Sequence, residues 1–265
     1  MKSVFLLCLF ATCSSFGLGA ETSEERDLSA EFGSAAGSFV LYDAAHEHWL
    51  RFHPDECRVH TSPCSTFKVP NSLISLETGV ATGADFALPW DGTHHAIEAW
   101  NHDQTLRSAF AVSCVWFYEI LAARVGMERM QKFVTAIHYG NMDTSSGLPH
   151  FWIQGSLKIS PDEQVDFLRR LHGRKLPFAA KNVDTLLDIM TLTRTGGMVF
   201  RGKTGTGNND RDVTVLGWFI GSVTTPGGDY FFATRLTGGE DPSGRHARKI
   251  TEGILMKLKI LSETR

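Results

Sequence analysis

Ser65-Thr66-Phe67-Lys68, followed far downstream by Lys203-Thr204-Gly205, is the ordered pair on which the reading of this chain turns. In the first element a hydroxyl and an amine lie three residues apart. On a helix, residues i and i+3 share a face, so the amine can reach the hydroxyl. A serine hydroxyl is a poor nucleophile until a base takes its proton. The second element offers a cation flanked by a hydroxyl and a glycine. Together they point to acyl transfer on a substrate that carries a carboxylate. Either element alone is ordinary. A Ser-x-x-Lys arises by chance about once in a chain of this length, and Lys-Thr-Gly also reads as a strand end. What lies between them decides the matter.

The chain has 265 residues, 42% of them hydrophobic and 21% charged. That is a globular composition with enough apolar material for a sizeable core. The formal net charge of −3 is spread without a basic stripe or an acidic tail. Nucleic acid and anionic membrane surfaces are therefore not expected partners. The N-terminus reads as a secretory signal peptide over residues 1–20. Lys2 is its positive start, Val4 to Ala11 its short apolar stretch, and Gly17-Leu18-Gly19-Ala20 a region for cleavage. Cys13 raises a lipoprotein alternative, but Phe10-Ala11-Thr12-Cys13 is a poor match to a lipid-attachment site. No later segment reaches the roughly 20 apolar residues of a membrane span. The expected mature protein starts near Glu21 and is secreted or periplasmic. Export permits disulfides. Cys57 and Cys64 could close a short loop before Ser65, or all three of Cys57, Cys64 and Cys114 could be buried thiols.

Along the chain, Glu21 to Glu31 is polar and reads as a loose lead-in. Gly37 to Tyr42 and Trp49 to Phe52 read as a hairpin. A helix is expected from about Cys64, with Pro70 bending it near its second turn. Apolar spacings of three and four predict helices over Val112 to Val125 and Met127 to Ile137. Further helices are expected from Pro161 and over Asn182 to Thr191. After Gly196-Gly197 the pattern switches to period two, giving strands at Met198 to Lys203, Val213 to Val223 and Asp229 to Leu236. Arg248 to Ile260 reads as a closing helix. The expected fold is α/β (α+β): an antiparallel sheet flanked by helices, built from residues 21–62 and 193–265, with an inserted all-helical domain over 63–192.

Three more short motifs fall in order between the two elements: Ser113-Cys114-Val115 at a helix start, Tyr139-Gly140-Asn141 after a helix, and Trp152-Ile153-Gln154-Gly155. Each has a bland reading, as a helix cap, a helix stop and a core aromatic. Five motifs in this order are another matter. The set resembles the class D (oxacillinase-type) serine β-lactamases, and so do Phe39 to Asp43, Trp100 with Thr105-Leu106-Arg107, Gln164 with Phe167-Leu168, and Gly217-Trp218. The resemblance covers essentially the whole mature chain and implies the serine β-lactamase / penicillin-binding fold. Class A enzymes resemble it less, since they carry Ser-Asp-Asn where this chain has Ser113-Cys114-Val115.

The resemblance implies that Ser65 attacks a β-lactam carbonyl and that water hydrolyses the acyl-enzyme. It implies that Lys68 is N-carboxylated by CO2 or bicarbonate and serves as the base, with Trp152 holding the carbamate. Phe67, Val115, Trp152 and Leu157 are candidates for dry walls around it. Ser113 is implied as proton shuttle, Lys203 as the cation near the substrate carboxylate, and Thr204 with Gly205 as part of the same binding edge. The backbone N–H groups of Ser65 and Thr206 are the implied oxyanion hole. An arginine near the last helix is expected to pair with the substrate carboxylate. Arg248 is favoured over Arg245. No metal is expected: His46, His48, His94 and His95 lack His-Glu-x-x-His spacing, and no Cys/His set has zinc-finger spacing. Beyond the CO2 of Lys68, no cofactor is expected. The expected partners are small-molecule β-lactams, and a homodimer is left open. The alternatives are a β-lactam-sensing domain, disfavoured here by the signal and by the lack of a membrane span, and a peptidoglycan DD-peptidase.

Overall fold

The computed structural model describes residues 22–261. The expected signal peptide lies outside the described residues. The chain begins with β1 (Thr22–Glu25) and the single turn α1 (Ser29–Phe32), then forms the hairpin of β2 (Ala36–Asp43) and β3 (His48–Phe52). The hairpin is as expected, but the lead-in is not loose. β1 pairs in parallel with β3, with Thr22 opposite His48. It is an edge strand with mostly exposed side chains, so no hydrophobic periodicity marks it in the sequence.

A 3₁₀ turn over Cys64–Phe67 runs directly into α2 (Lys68–Glu77). Pro70 is therefore the third residue of the α-helix, where its missing N–H would have had no intrahelical partner. A two-residue ladder of β4 (Ala87–Leu88) and β5 (Gln104–Thr105) follows, then α3 (Leu106–Ala111), α4 (Val115–Val125) and α5 (Met127–Ala136). The helix expected to begin at Val112 is broken: the chain turns through Ser113 before α4 starts. Next come α6 (Pro161–His172) and α7 (Ala180–Ile189). α6 starts where Pro161 predicts, behind a reciprocal capping box of Ser160 and Glu163. The chain closes with β6 (Thr191–Thr195), β7 (Met198–Asn208), β8 (Thr214–Thr225), β9 (Gly228–Gly238) and α8 (Gly244–Lys257). β6 takes over where α7 was expected to end, and Leu192 and Arg194 face solvent at the sheet edge while Thr191 and Thr193 are partly buried.

The seven-stranded sheet has the order β1-β3-β2-β9-β8-β7-β6, antiparallel except for β1 on β3. Both faces are covered. On β2, Val40 and Tyr42 enter the larger core with α2, α4, α5 and α6, whereas Phe39 and Leu41 enter a second core under α1 and α8. On β8, Trp218 and Ile220 alternate with Phe219 and Val223 in the same way. Strands buried on both faces read as near-continuous apolar runs, which is why they stand out in the sequence. α6 lies within the helical segment of the sequence but packs on the sheet against β2, β8 and β9. It thus joins the helices to the sheet, and its first turn reaches the catalytic corner.

Candidate active site

The site forms where the 3₁₀ turn at Ser65 meets the upper edge of β7. β6 pairs with β7 from Met198 to Arg201, so among the described residues the β7 edge from Lys203 onward has no neighbouring strand. The Ser65 turn fills that place. Close approach is set by glycine. A Cβ on Gly205 would lie 3.1 Å from the Pro63 carbonyl oxygen and 3.2 Å from the Thr66 nitrogen, and a Cβ on Gly244 would lie 2.5 Å from the Gly205 oxygen. The Ser65 turn, β7 and the start of α8 are stacked with no room for a side chain between them. The Gly244 N–H donates to Thr206 Oγ1 at 3.0 Å, tying α8 to the same strand.

The turn is held by a buried polar chain. Thr66 Oγ1 donates to the Pro63 carbonyl at 2.7 Å and accepts from Gln164 Nε2 at 2.9 Å; the Tyr139 hydroxyl donates to Gln164 Oε1 at 3.3 Å. Cys64, just before the nucleophile, has φ 48°, and Ser113 has φ 57°. Left-handed backbone at a residue with a side chain costs about 1–2 kcal/mol. Both strained residues therefore sit at, or next to, a hydroxyl of the site.

Lys68 Nζ donates to Ser65 Oγ at 2.9 Å. Its side chain is 1% exposed and lies over the Tyr118 ring at 5.3 Å. Burial pulls its pKa down from 10.5 to about 8. Phe67, Trp152 and Leu157 are all buried, and Trp152 stacks on Phe67 with ring centroids 5.5 Å apart. Val115 is half-buried. Across the cleft, Lys203 Nζ donates to Ser113 Oγ at 3.0 Å and to the Thr204 carbonyl at 2.9 Å. Lys203 is 4% exposed, and its pKa falls well below the ordinary value, mainly from burial and further from the nearby Lys68. Two buried amines in one site resist being cations together, and each has a serine hydroxyl as partner.

Arg248 and Arg245 are placed differently. Arg248 lies along α8 beside Lys203 and Thr204, lining with them a cavity of about 90 Å³, and pairs with Glu252 at 2.7 Å. Arg245 follows Gly244 at the Thr206 end and is exposed. Tyr139-Gly140-Asn141 braces rather than reacts. Tyr139 is buried on Gln164, a Cβ on Gly140 would meet the Lys158 oxygen at 2.0 Å, and Asn141 exchanges hydrogen bonds with Lys158 and Ser156. Its sequence signal was the glycine, but what it held could not be read without the loop it meets. Of the two readings left open for Cys57 and Cys64, the structure has the second: they are separate buried thiols. Cys57 Sγ donates to the Phe39 and Phe52 carbonyls, while Cys64 Sγ faces Ser62 and Ile153. Burial pushes the two thiols up to about 12 and about 11. Among the described residues no three His, Cys, Asp or Glu side chains gather as a metal site, and no helix is long and apolar enough to cross a membrane.

Residues 37–256 match the penicillin binding protein transpeptidase domain, the class of protein that this fold and serine–lysine corner define. Among relatives, the probable β-lactamase YbxI of Bacillus subtilis is 36% identical over 232 residues, covering 88% of this chain and 84% of that protein. The regulatory protein BlaR1 of Bacillus licheniformis is 36% identical over 236 residues, again 88% of this chain, which spans only 39% of BlaR1. The C-terminal penicillin-receptor domain of that BlaR superimposes with a TM-score of 0.88 at 35% identity, covering 92% of this chain and all of that domain. A class D β-lactamase from Bacillus subtilis superimposes with a TM-score of 0.84 at 35% identity, covering 90% of this chain and 98% of that one. The chain belongs to the class D β-lactamases, and it is by family a β-lactam hydrolase.

Proposed function

We propose that the chain hydrolyses β-lactams through an acyl-enzyme on Ser65, with an N-carboxylated Lys68 as general base. The observation that carries this reading is the 2.9 Å contact from a buried Lys68 amine to Ser65 Oγ. An ammonium has no lone pair with which to accept the serine proton. With its pKa lowered to about 8, roughly a tenth of the amine is neutral at pH 7. A neutral amine adds CO2, forming the N–C bond of a carbamate and releasing a proton. The carbamate then takes the Ser65 proton as Oγ attacks the lactam carbonyl. The developing oxyanion falls to the backbone N–H groups of Ser65 and Thr206, where fixed dipoles favour the transition state. Ser113, hydrogen-bonded to Lys203, relays the proton taken up by the carbamate to the departing lactam nitrogen, which leaves the carbamate free to act as base again. Lys203, Thr204 and Arg248 receive the substrate carboxylate. In deacylation the carbamate removes a proton from the attacking water. The protein is expected to act after export, in the periplasm or outside the cell, where β-lactams arrive.

The test is turnover of a chromogenic cephalosporin by wild type, Ser65→Ala and Lys68→Ala, with and without added bicarbonate. Multiple turnovers are expected from wild type only. Activity should fall on the acid side, where the carbamate protonates and loses CO2, and bicarbonate should restore part of it. A stoichiometric burst without turnover would instead assign the chain the receptor behaviour named for BlaR. Indifference to bicarbonate would remove the carbamate from the mechanism.

A further inference from the structure

Ser113 stands alone between two short helices, in a left-handed conformation with φ 57°. The turn receives main-chain support from Ser113 N–H to Phe110 O at 3.2 Å and from Cys114 N–H to Ala109 O at 2.8 Å. Neither bond engages the carbonyl of Val112, the peptide group that leads into Ser113. At the other side α4 begins with Cys114 as its N-cap, and no side chain caps it. Two indoles brace this turn. Trp100 Nε1 donates to the Val112 oxygen at 3.0 Å, and Trp116 Nε1 donates to the Trp100 oxygen at 3.0 Å. One bond reaches the chain a residue before Ser113, and the other leaves it three residues after.

The loop that supplies Trp100 is itself closed. The Asn101 side chain accepts from His95 N–H at 2.8 Å and donates to the His95 carbonyl at 3.0 Å, and the His95 ring sits edge-on to Trp100 at 5.8 Å. Trp100 and Trp116 are both half-buried, with their polar atoms turned inward onto backbone. Half-buried indoles of this kind spend their single donor on one partner, which fixes the ring and whatever it holds.

We propose that Trp100 and Trp116 form a two-bond clamp in series that holds Ser113 Oγ on Lys203, making both tryptophans positioning residues for proton transfer to the leaving nitrogen. The clamp bears on Ser113 from both flanks and makes no contact of its own with Ser65 or Lys68. This rests on the reading of Ser113 as the proton shuttle. A strained residue relaxes when its supports go, and here relaxation would swing the hydroxyl off Lys203 while leaving the rest of the site in place.

The experiment removes only the donors. Trp100→Phe and Trp116→Phe keep a ring and drop the indole N–H. Each is expected to lower kcat about five- to tenfold, the usual worth of one lost hydrogen bond to a polar group. KM should stay within about twofold and the melting temperature within a few degrees. The deciding measurement is a cycle with Ser113→Ala, read by single-turnover acylation with a fluorescent penicillin. Without the hydroxyl, Trp100→Phe should have no further effect on the acylation rate. An equal loss in both backgrounds, or no loss in either, overturns the proposal. If wild type is acylated but never turned over, hydrolysis fails as the function, while the acylation cycle still decides the clamp.

Discussion

The two halves of the site reach the same cleft by opposite means. The Ser65 half is a bent, strained turn between two helix types, and it needs a chain of buried hydrogen bonds from Thr66 through Gln164 to Tyr139 to hold it. The Lys203 half is straight antiparallel strand in regular register with β8, from Lys203 opposite Ile220 to Gly207 opposite Leu216. Its ladder holds it straight, the Gly244 N–H ties α8 to it through Thr206 Oγ1, and the absence of side chains at Gly205 and Gly244 lets its neighbours approach. A nucleophile has to be pointed, so its segment carries strain. A substrate-binding edge has to be approached, so its segment carries glycine. The two lysines share burial and a lowered pKa but differ in partners: Lys68 donates to the Ser65 hydroxyl, while Lys203 donates both to the Ser113 hydroxyl and to the Thr204 carbonyl on its own strand.

The sharpest break in this comparison is Lys68→Met. Methionine nearly matches the stem but has no amine to carboxylate. A general base contributes about 10²–10⁴ in rate, so kcat/KM should fall by about 10³ or more, while fluorescent penicillin still reaches Lys203 and its neighbours. Stability should move the other way. The folded state holds the Lys68 proton less tightly than the unfolded chain, with a pKa of about 8 against 10.5. In CO2-free buffer the cost of burying this amine is therefore full below about pH 8, about 3 kcal/mol as an order of magnitude. It shrinks between pH 8 and 10.5 and is gone above. Lys68→Met should melt higher than wild type at pH 7 and no higher near pH 11. A variant that melts lower at pH 7 would mean that Lys68 is a structural support.

The strand half is tested by Gly244→Ala. The added Cβ would stand 2.5 Å from the Gly205 oxygen, backbone against backbone, so something must shift. Overpacking costs typically 1–3 kcal/mol. Here the shift pushes β7 toward the Ser65 turn, so kcat/KM should drop about tenfold to a hundredfold with it. Normal kinetics in this variant would show that the stacked strand edge has slack.

The same contrast explains what the sequence disclosed. Lys203 could be placed on a strand from period two alone, but the expected strand stopped there, whereas β7 runs on through Thr204 and Gly205 to Asn208; β8 and β9 were plain because both of their faces are apolar. Pro161 announced α6. The Ser113 turn could not be read: the apolar spacing through Val112 and Val115 continues a helix, and only the tertiary bonds of Trp100 and Trp116 show why it breaks. β1 and β6 escaped notice because edge strands with solvated side chains leave no hydrophobic mark. That Lys68 can reach Ser65 followed from their spacing, and the structure puts the two at 2.9 Å; the 3.0 Å bond from Lys203 to Ser113, 90 residues apart in sequence, could come only from the fold. Cys57 and Cys64 were left open between a disulfide and buried thiols because spacing says nothing of direction, and each thiol turns to its own set of carbonyls and hydroxyls.

The smallest expected effect distinguishes the two arginines. Arg248 lies with Lys203 and Thr204 around one small cavity, whereas Arg245 follows the helix start next to Gly205. Arg248 is already paired with Glu252 one turn on, and both side chains are partly exposed. Its guanidinium would have to leave, or share, that carboxylate when a substrate carboxylate arrives, which trims its net contribution to about 1 kcal/mol. Arg248→Ala should thus raise KM about fivefold to tenfold with kcat nearly unchanged, since the carboxylate is bound equally in ground and transition states. Glu252→Gln should lower KM slightly by freeing the guanidinium. Arg245→Ala should do neither. Should Arg245→Ala carry the KM effect instead, the carboxylate would sit toward Thr206 and the α8 N-terminus, and the binding half of the site would extend one helical turn further along β7.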